Sequence, residues 1–252
     1  MTNRWPPRVF PLDAAAIIRA TGGRRLVIVA PHPDDETLGC GLLIAAAVRA
    51  GISVAVIALT DGQASHPGSR RWPPAVLGRL RRAELRRAMA RLGAGSAAVR
   101  FMGWHDGNVA SEGHALALRR VLTELGAGVV VVASPRDHHP DHQAGWRLSV
   151  VATRGSDVAL VSYAVWSRVD AGGPRAHGPI AAKRWAARAH RSQVGGYIAD
   201  AAEGFRLTAG HLASFTGEVE VFTAARRGRE KARSRPSPPP QPRPIRTPAR
   251  AR

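Results

Sequence analysis

Thiols are all but missing from this chain. Of 252 residues only Cys40 is a cysteine, which excludes an internal disulfide framework. Long apolar runs are missing too: none reaches the roughly 18 residues a membrane-spanning helix needs. Residues 1–11 carry charge but no apolar segment, so they do not read as a signal peptide. A cytoplasmic protein is the expectation. Acidic residues are scarce, 18 against 37 basic ones, giving a net charge of +19. That excess is uneven. Residues 226–252 hold nine Arg and one Lys against one Glu, a charge of +9, which leaves +10 for the rest. The same segment has seven prolines and no aromatic residue. It cannot bury enough surface to offset its ordering entropy, so a disordered tail after a domain at 1–225 is expected. A basic tail can meet nucleic acid or an anionic surface through phosphates, but lacks rings for base stacking. A solvated extension without a partner is the simpler reading.

What is present is an alternation of apolar strands and amphipathic helices. Residues 26–30, 54–59 and 129–133 are continuous apolar runs, the mark of strands covered on both faces. Further strands are expected at 99–102, 160–165 and 219–222. Helices are expected at 12–20, 37–50, 77–92, 114–125, from about 140 to 154, and at 180–191. The pattern predicts an α/β, Rossmann-like fold: a mostly parallel sheet with helices on both faces and right-handed crossovers.

Two loops carry the chemistry. After the first strand comes Pro31-His32-Pro33-Asp34-Asp35-Glu36, and after the fourth comes Asp137-His138-His139-Pro140-Asp141-His142. In a parallel sheet both open on the carboxyl edge, where ligands bind. This lets His32 and Asp35 meet His142. Two imidazoles and a carboxylate, with one position left for water, make a catalytic zinc site; iron or cobalt also suit these donors. Zinc brings the pKa of a bound water to about 7. Asp34, beside a ligand but directed elsewhere, suits a general base. His139 suits an oxyanion stabiliser or acid, and Asp141 a residue that orients the imidazoles. Either motif alone is ordinary turn and helix-cap chemistry. Both together, on separate strand ends, favour the metal.

These residues, with Thr60-Asp61-Gly62, Arg81 to Glu84 and Asp106-Gly107, resemble the LmbE-like, or PIG-L, deacetylases over about residues 25–225. Lys183 and the stretch His190-Arg191-Ser192-Gln193 fit the same pattern. The resemblance implies a zinc-dependent hydrolase that removes an N-acetyl group from an amino sugar or glycoconjugate. It implies His32, Asp35 and His142 as ligands, Asp34 as base, His139 as stabiliser, and Arg81 and Asp106 as sugar contacts. For Arg81 the competing reading is a solvated helix face; for Asp106, a turn residue. The rival activity is a zinc amidase on a non-sugar N-acyl substrate. The rival class is a protein that binds nucleic acid or an anionic surface through its tail. His66, His105 and His138 read as surface loop residues, His190 as a helix-end cation, and Cys40 as a packing residue. Trp72 and Trp104 are candidates to stack on a sugar or simply to pack. Loops 63–75 and 166–179 are expected to set the substrate.

Overall fold

The computed structural model describes residues 13–110, 113–167 and 175–224. The tail at 226–252, the start at 1–11 and part of the 166–179 loop lie outside these residues. In chain order the elements are α1 (Ala14–Ala20), β1 (Arg25–Ala30), α2 (Asp35–Arg49), β2 (Val54–Thr60), α3 (Pro74–Arg91), β3 (Ala98–Trp104) and α4 (His114–Glu124). They continue with β4 (Ala127–Ala133), α5 (Pro140–Thr153), β5 (Ala159–Tyr163), β6 (Arg175–His177), α6 (Ile180–Ala187), α7 (Ala209–Phe215) and β7 (Val219–Ala224).

The strands form one seven-stranded sheet in the order β3-β2-β1-β4-β5-β7-β6. The pairs β1–β2, β2–β3, β1–β4 and β4–β5 are parallel, while β7 runs antiparallel to β5 and β6. The α/β, mostly parallel architecture expected from the sequence is the one present. Its order matters for function. The chain builds outward from β1 through β2 to β3, then returns to place β4 on the other side of β1. The reversal lies between β1 and β4, so the loops leaving these two strands flank the switch point where open sheets bind ligands.

The all-apolar strands alternate between two cores. Leu26, Ile28, Val129 and Val131 pack with Leu38, Leu42, Leu85 and Ala88 on one face. Val27, Val29, Val130 and Val132 pack with Leu118, Leu122 and Ala144 on the other. Each buried Val, Leu or Ile contributes about 1.5–3 kcal/mol, so β1 and β4 are rigid supports for the loops they carry. At Gly39 a Cβ would overlap the ring of Tyr163, so glycine is what lets α2 lie close against the sheet. Among the described residues no helix is long and apolar enough to cross a membrane.

Two short elements, β6 and α7, were not expected. The helix expected over 180–191 ends at Ala187, because the chain turns there to bring His190 inward. The helix expected from Thr37 begins two residues earlier, so Asp35 and Glu36 belong to its first turn.

Candidate metal centre and active site

His32 leaves the end of β1 through Pro31, and its backbone N–H donates to Asp35 Oδ2 at 2.9 Å. That bond folds the loop back on the first turn of α2 and sets the two side chains together. Asp35 Oδ2 lies 3.3 Å from His32 Nδ1 and 3.3 Å from His142 Nε2. His142 comes from the first turn of α5, beyond β4. The three residues expected to meet across the sheet therefore do meet. Around a tetrahedral zinc with bonds of about 2.0–2.1 Å, neighbouring ligand atoms lie roughly 3.3 Å apart. Both separations match that spacing. His142 Nε2 is also buried without a hydrogen-bond partner. The donor set and the orphaned nitrogen both fit a divalent ion. His139 offers a competing third donor: one ligand atom each from His32, His139 and His142 lie within 4.8 Å of one another.

Carboxylates hold the far sides of both imidazoles. Asp137 Oδ2 accepts from His142 Nδ1 at 2.8 Å, while its two oxygens also accept the backbone N–H groups of Val165 and Ser167. His32 Nε2 faces Asp106 Oδ1 and Asp141 Oδ2, each at 3.2 Å. Asp141 is fixed in turn by the N–H groups of Gly107 and Val109. Such outer carboxylates set the tautomer and orientation of a ligating imidazole. Asp141 thus touches the His32 ring, the contact an orienting role requires. Asp137, at the head of the second motif, carries no role in the sequence reading. Its signal is a carboxylate in the turn after a buried strand, ahead of two adjacent histidines.

The electrostatics describe an enclosure short of positive charge. Burial works against protonating His32, but Asp106, Asp141 and Asp35 outweigh it and push its pKa well above the usual imidazole range. His142 is likewise raised to about 9: burial opposes the charge, and Asp35 and Asp137 favour it. Burial pushes Asp35 upward, yet the two imidazoles hold it well below the ordinary carboxylate range. Asp106 is lowered to about 2, against its burial, chiefly by His32. Four carboxylates converging on two imidazoles make a natural seat for a cation.

Asp34 occupies the N-cap position of α2, but its side chain does not cap the helix. Its Oδ2 instead lies 3.2 Å from Arg81 Nη2. Burial raises its pKa, Arg81 partly offsets this, and the adjacent Asp35 raises it again, to about 6. His139 caps α5: its Nδ1 accepts the backbone N–H of Asp141 at 3.2 Å, so the ring proton belongs on Nε2. Burial, then His32 and His142, lower its pKa, which favours the neutral ring.

For Arg81 and Asp106 the competing readings fail, and two histidines depart from the sequence reading. Arg81 is not on a solvated face; it is 2% exposed and donates to Gly62 O and Pro33 O. Asp106 is more than a turn residue, since its second oxygen accepts from Ala64 N and ties His32 to the 63–75 loop. His190 is not a helix-end surface cation: it is buried, with Nε2 at 3.2 Å from Glu36 Oε1 and from Thr37 Oγ1. His66 is buried as well, beside Ser65. His105 and His138 are exposed and Cys40 is buried, as expected. Trp104 is buried and stacks on His114 at 3.8 Å, which makes it packing; Trp72 is half-buried against Tyr197. The 63–75 loop is fastened to the segment around Asp200, whose carboxylate accepts from Ser69 Oγ and Arg71 N.

The chain is similar to known deacetylases. The family model for GlcNAc-PI de-N-acetylase, PIG-L, matches residues 27–153. The 1D-myo-inositol 2-acetamido-2-deoxy-alpha-D-glucopyranoside deacetylase of Nocardia farcinica is 31% identical over 244 residues, covering 84% of this chain and 80% of that protein. Among solved structures, N,N'-diacetylchitobiose deacetylase from Pyrococcus horikoshii superposes with a TM-score of 0.65 at 20% identity, over 80% of this chain and 84% of that one. At that identity the likeness speaks for the fold. A conserved protein of Thermus thermophilus gives a TM-score of 0.56 at 30% identity, over 67% of this chain and 79% of that one. Taken with the paired strand-end motifs, these matches place the chain in the PIG-L, or LmbE-like, family of de-N-acetylases.

Proposed function

We propose that this protein hydrolyses an N-acetyl, or another N-acyl, group from an amino sugar or glycoconjugate, using a divalent ion held by His32, Asp35 and His142. The observation that carries the reading is that Asp35 Oδ2 lies 3.3 Å from both imidazoles, with Asp34 next to it in the chain and the His139 ring 4.6 Å from that of His32. Zinc suits two imidazoles and a carboxylate best. When bound, such an ion supplies Lewis acidity, polarising the amide carbonyl and acidifying water.

The chain's own groups do the rest. Asp34, unprotonated, takes a proton from the attacking water as its oxygen bonds to the acyl carbon. His139 donates an Nε2–H hydrogen bond to the developing oxyanion, which one well-placed donor stabilises by about 2.7–4 kcal/mol. Asp34 then gives its proton to the departing nitrogen, the C–N bond breaks, and acetate and a free amine leave. Asp137 and Asp141 keep His142 and His32 in register throughout. Asp106, joined to both His32 and the loop at Ala64, is the proposed sugar contact.

The test is acetate release from N-acetylated amino sugars, inositol glycosides, glycolipids and glycopeptides, with N-acyl amino acids as the non-sugar arm. Release from a sugar that stops with chelator and returns with zinc is the expected result. Turnover confined to the N-acyl amino acids would support the amidase instead. No turnover on any substrate, together with polyanion binding that disappears when residues 226–252 are deleted, would overturn the enzyme reading.

A further inference from the structure

We propose that the outer face of α3, with α6 beside it, docks this protein on a bilayer that carries anionic lipid. The positive charge of the folded part is concentrated there. Residues 70–100 hold nine Arg against one Glu, +8 of the +10 that residues 1–225 carry. That glutamate, Glu84, is buried and bound to Ser192, and Arg81 is buried beside Asp34. What faces outward is Arg79, Arg86 and Arg87, all exposed, with Arg82 and Arg91 half-buried at the margins. α6 adds exposed Arg184 and Arg188. Two carboxylates lie at the edge of this face: Asp61 is taken by Arg82, and Asp200 by Ser69 Oγ and the Arg71 N–H. Among the described residues Arg79, Arg86, Arg87, Arg184 and Arg188 form no ion pair.

Such crowding is unfavourable without an anion. Arg82 and Arg86, like Arg87 and Arg91, stand one turn apart, where like charges destabilise a helix. Arg82 and Arg86 even share one ring, each guanidinium carbon lying 5.0 Å from the centre of Phe101. Aromatic side chains at both ends of α3 select the kind of anion. At its C-terminal end Trp185 is 55% exposed, while Arg91 donates to its carbonyl at 2.7 Å and stands 5.0 Å over its ring. At its N-terminal end half-buried Trp72 packs on exposed Tyr197, which Arg191 covers at 4.2 Å. Arginine beside Trp and Tyr suits the headgroup layer, where the cation meets phosphate and the ring sits between water and acyl chains. Nucleic acid fits less well, because α3 has no Asn, Gln, Ser or Thr to reach a base or a sugar. A second copy of the chain would bring arginine against arginine. The face also begins beside the metal centre, since α3 leaves the loop that Ala64 ties to Asp106.

The test is co-sedimentation of the full chain with phosphatidylcholine vesicles and with vesicles that also contain phosphatidylglycerol. Binding to the second kind alone is the expected result. Each arginine at an anionic surface changes partitioning about fivefold, so Arg79→Gln, Arg86→Gln and Arg87→Gln together should weaken binding about 100-fold. The helices α4 and α5 cover the other face of the sheet. Removing the same charge there, by Arg120→Gln, Arg147→Gln and Arg154→Gln, should leave binding nearly unchanged, because solvent ions screen charges that do not face the lipid. If the α3 variant does not fold, Arg184→Gln with Arg188→Gln serves in its place, with a loss of about 25-fold. Equal losses in the two triple variants would show a response to net charge alone. Binding that disappears when residues 226–252 are deleted, with the α3 variant unaffected, would assign it to the tail. Tighter binding to duplex DNA than to the vesicles would make the partner a nucleic acid. Any of these results, or no binding to the anionic vesicles, overturns the proposal.

Discussion

Asp137 and His142 form a fixed pair: the carboxylate accepts the Nδ1–H hydrogen bond at 2.8 Å, and Nε2 is turned toward Asp35. Removing that carboxylate frees the ring to change tautomer. Asp137→Asn is expected to weaken zinc binding about 10–100-fold, the usual effect of losing an outer carboxylate. Competition with a chromophoric chelator measures this. An unchanged affinity would show that His142 needs no such partner.

Asp34→Asn separates chemistry from metal binding. The variant should keep its zinc and lose about 10²–10⁴ in kcat, the range of a general base. His142→Ala, by contrast, should lose the ion itself. Metal analysis on both proteins decides the point. Full turnover in the first, or full occupancy in the second, would refute the assigned roles.

His190 links stability to pH. Burial pulls its pKa down, but Glu36 and then Asp34 and Glu84 raise it, and the net position is above 6.5. A group raised on folding stabilises fully below its unfolded pKa, and that contribution is lost as pH climbs through the folded value. His190→Gln should therefore destabilise more at about pH 5.5 than at about pH 9. Urea midpoints at the two pH values provide the comparison; a gap that widens with rising pH would contradict it.

Gly39→Ala tests how closely α2 lies against the sheet. The added methyl would meet the ring of Tyr163, which is buried and donates its hydroxyl to Val29 O at 3.2 Å. Such overpacking costs roughly 1–3 kcal/mol. It should also weaken metal binding, because Asp35 starts the same helix. A variant as stable as the parent would mean that the helix can slide.

The strands bearing the site were legible because they are unbroken apolar runs, and their order placed both motifs on one edge. That His32, Asp35 and His142 would lie close together followed from that geometry. Short β6 was missed because three residues carry too little periodicity, and α7 because its seven residues bury no side chain and so show no apolar face. Arg81 was half-legible. Leu77, Arg81, Glu84, Leu85 and Ala88 share a helical face, so their spacing already put a charged pair among core residues. The surrounding arginines hid it by making a solvated helix face the competing reading. Asp137 was only partly legible, because His142 stands five residues on in the same motif but Val165 and Ser167 arrive from beyond β5; His190 was illegible because Glu36 arrives from α2.

An ion seated between His32, Asp35 and His142 would staple the first turn of α2 to the first turn of α5. The stapled loop takes in β2, β3, β4 and the helices between them. Closing so large a ring removes freedom from the unfolded chain, as a long-range disulfide would. In a molecule with a single cysteine, metal loading is then the available cross-link, and stripping the ion should lower the melting temperature as well as abolish turnover.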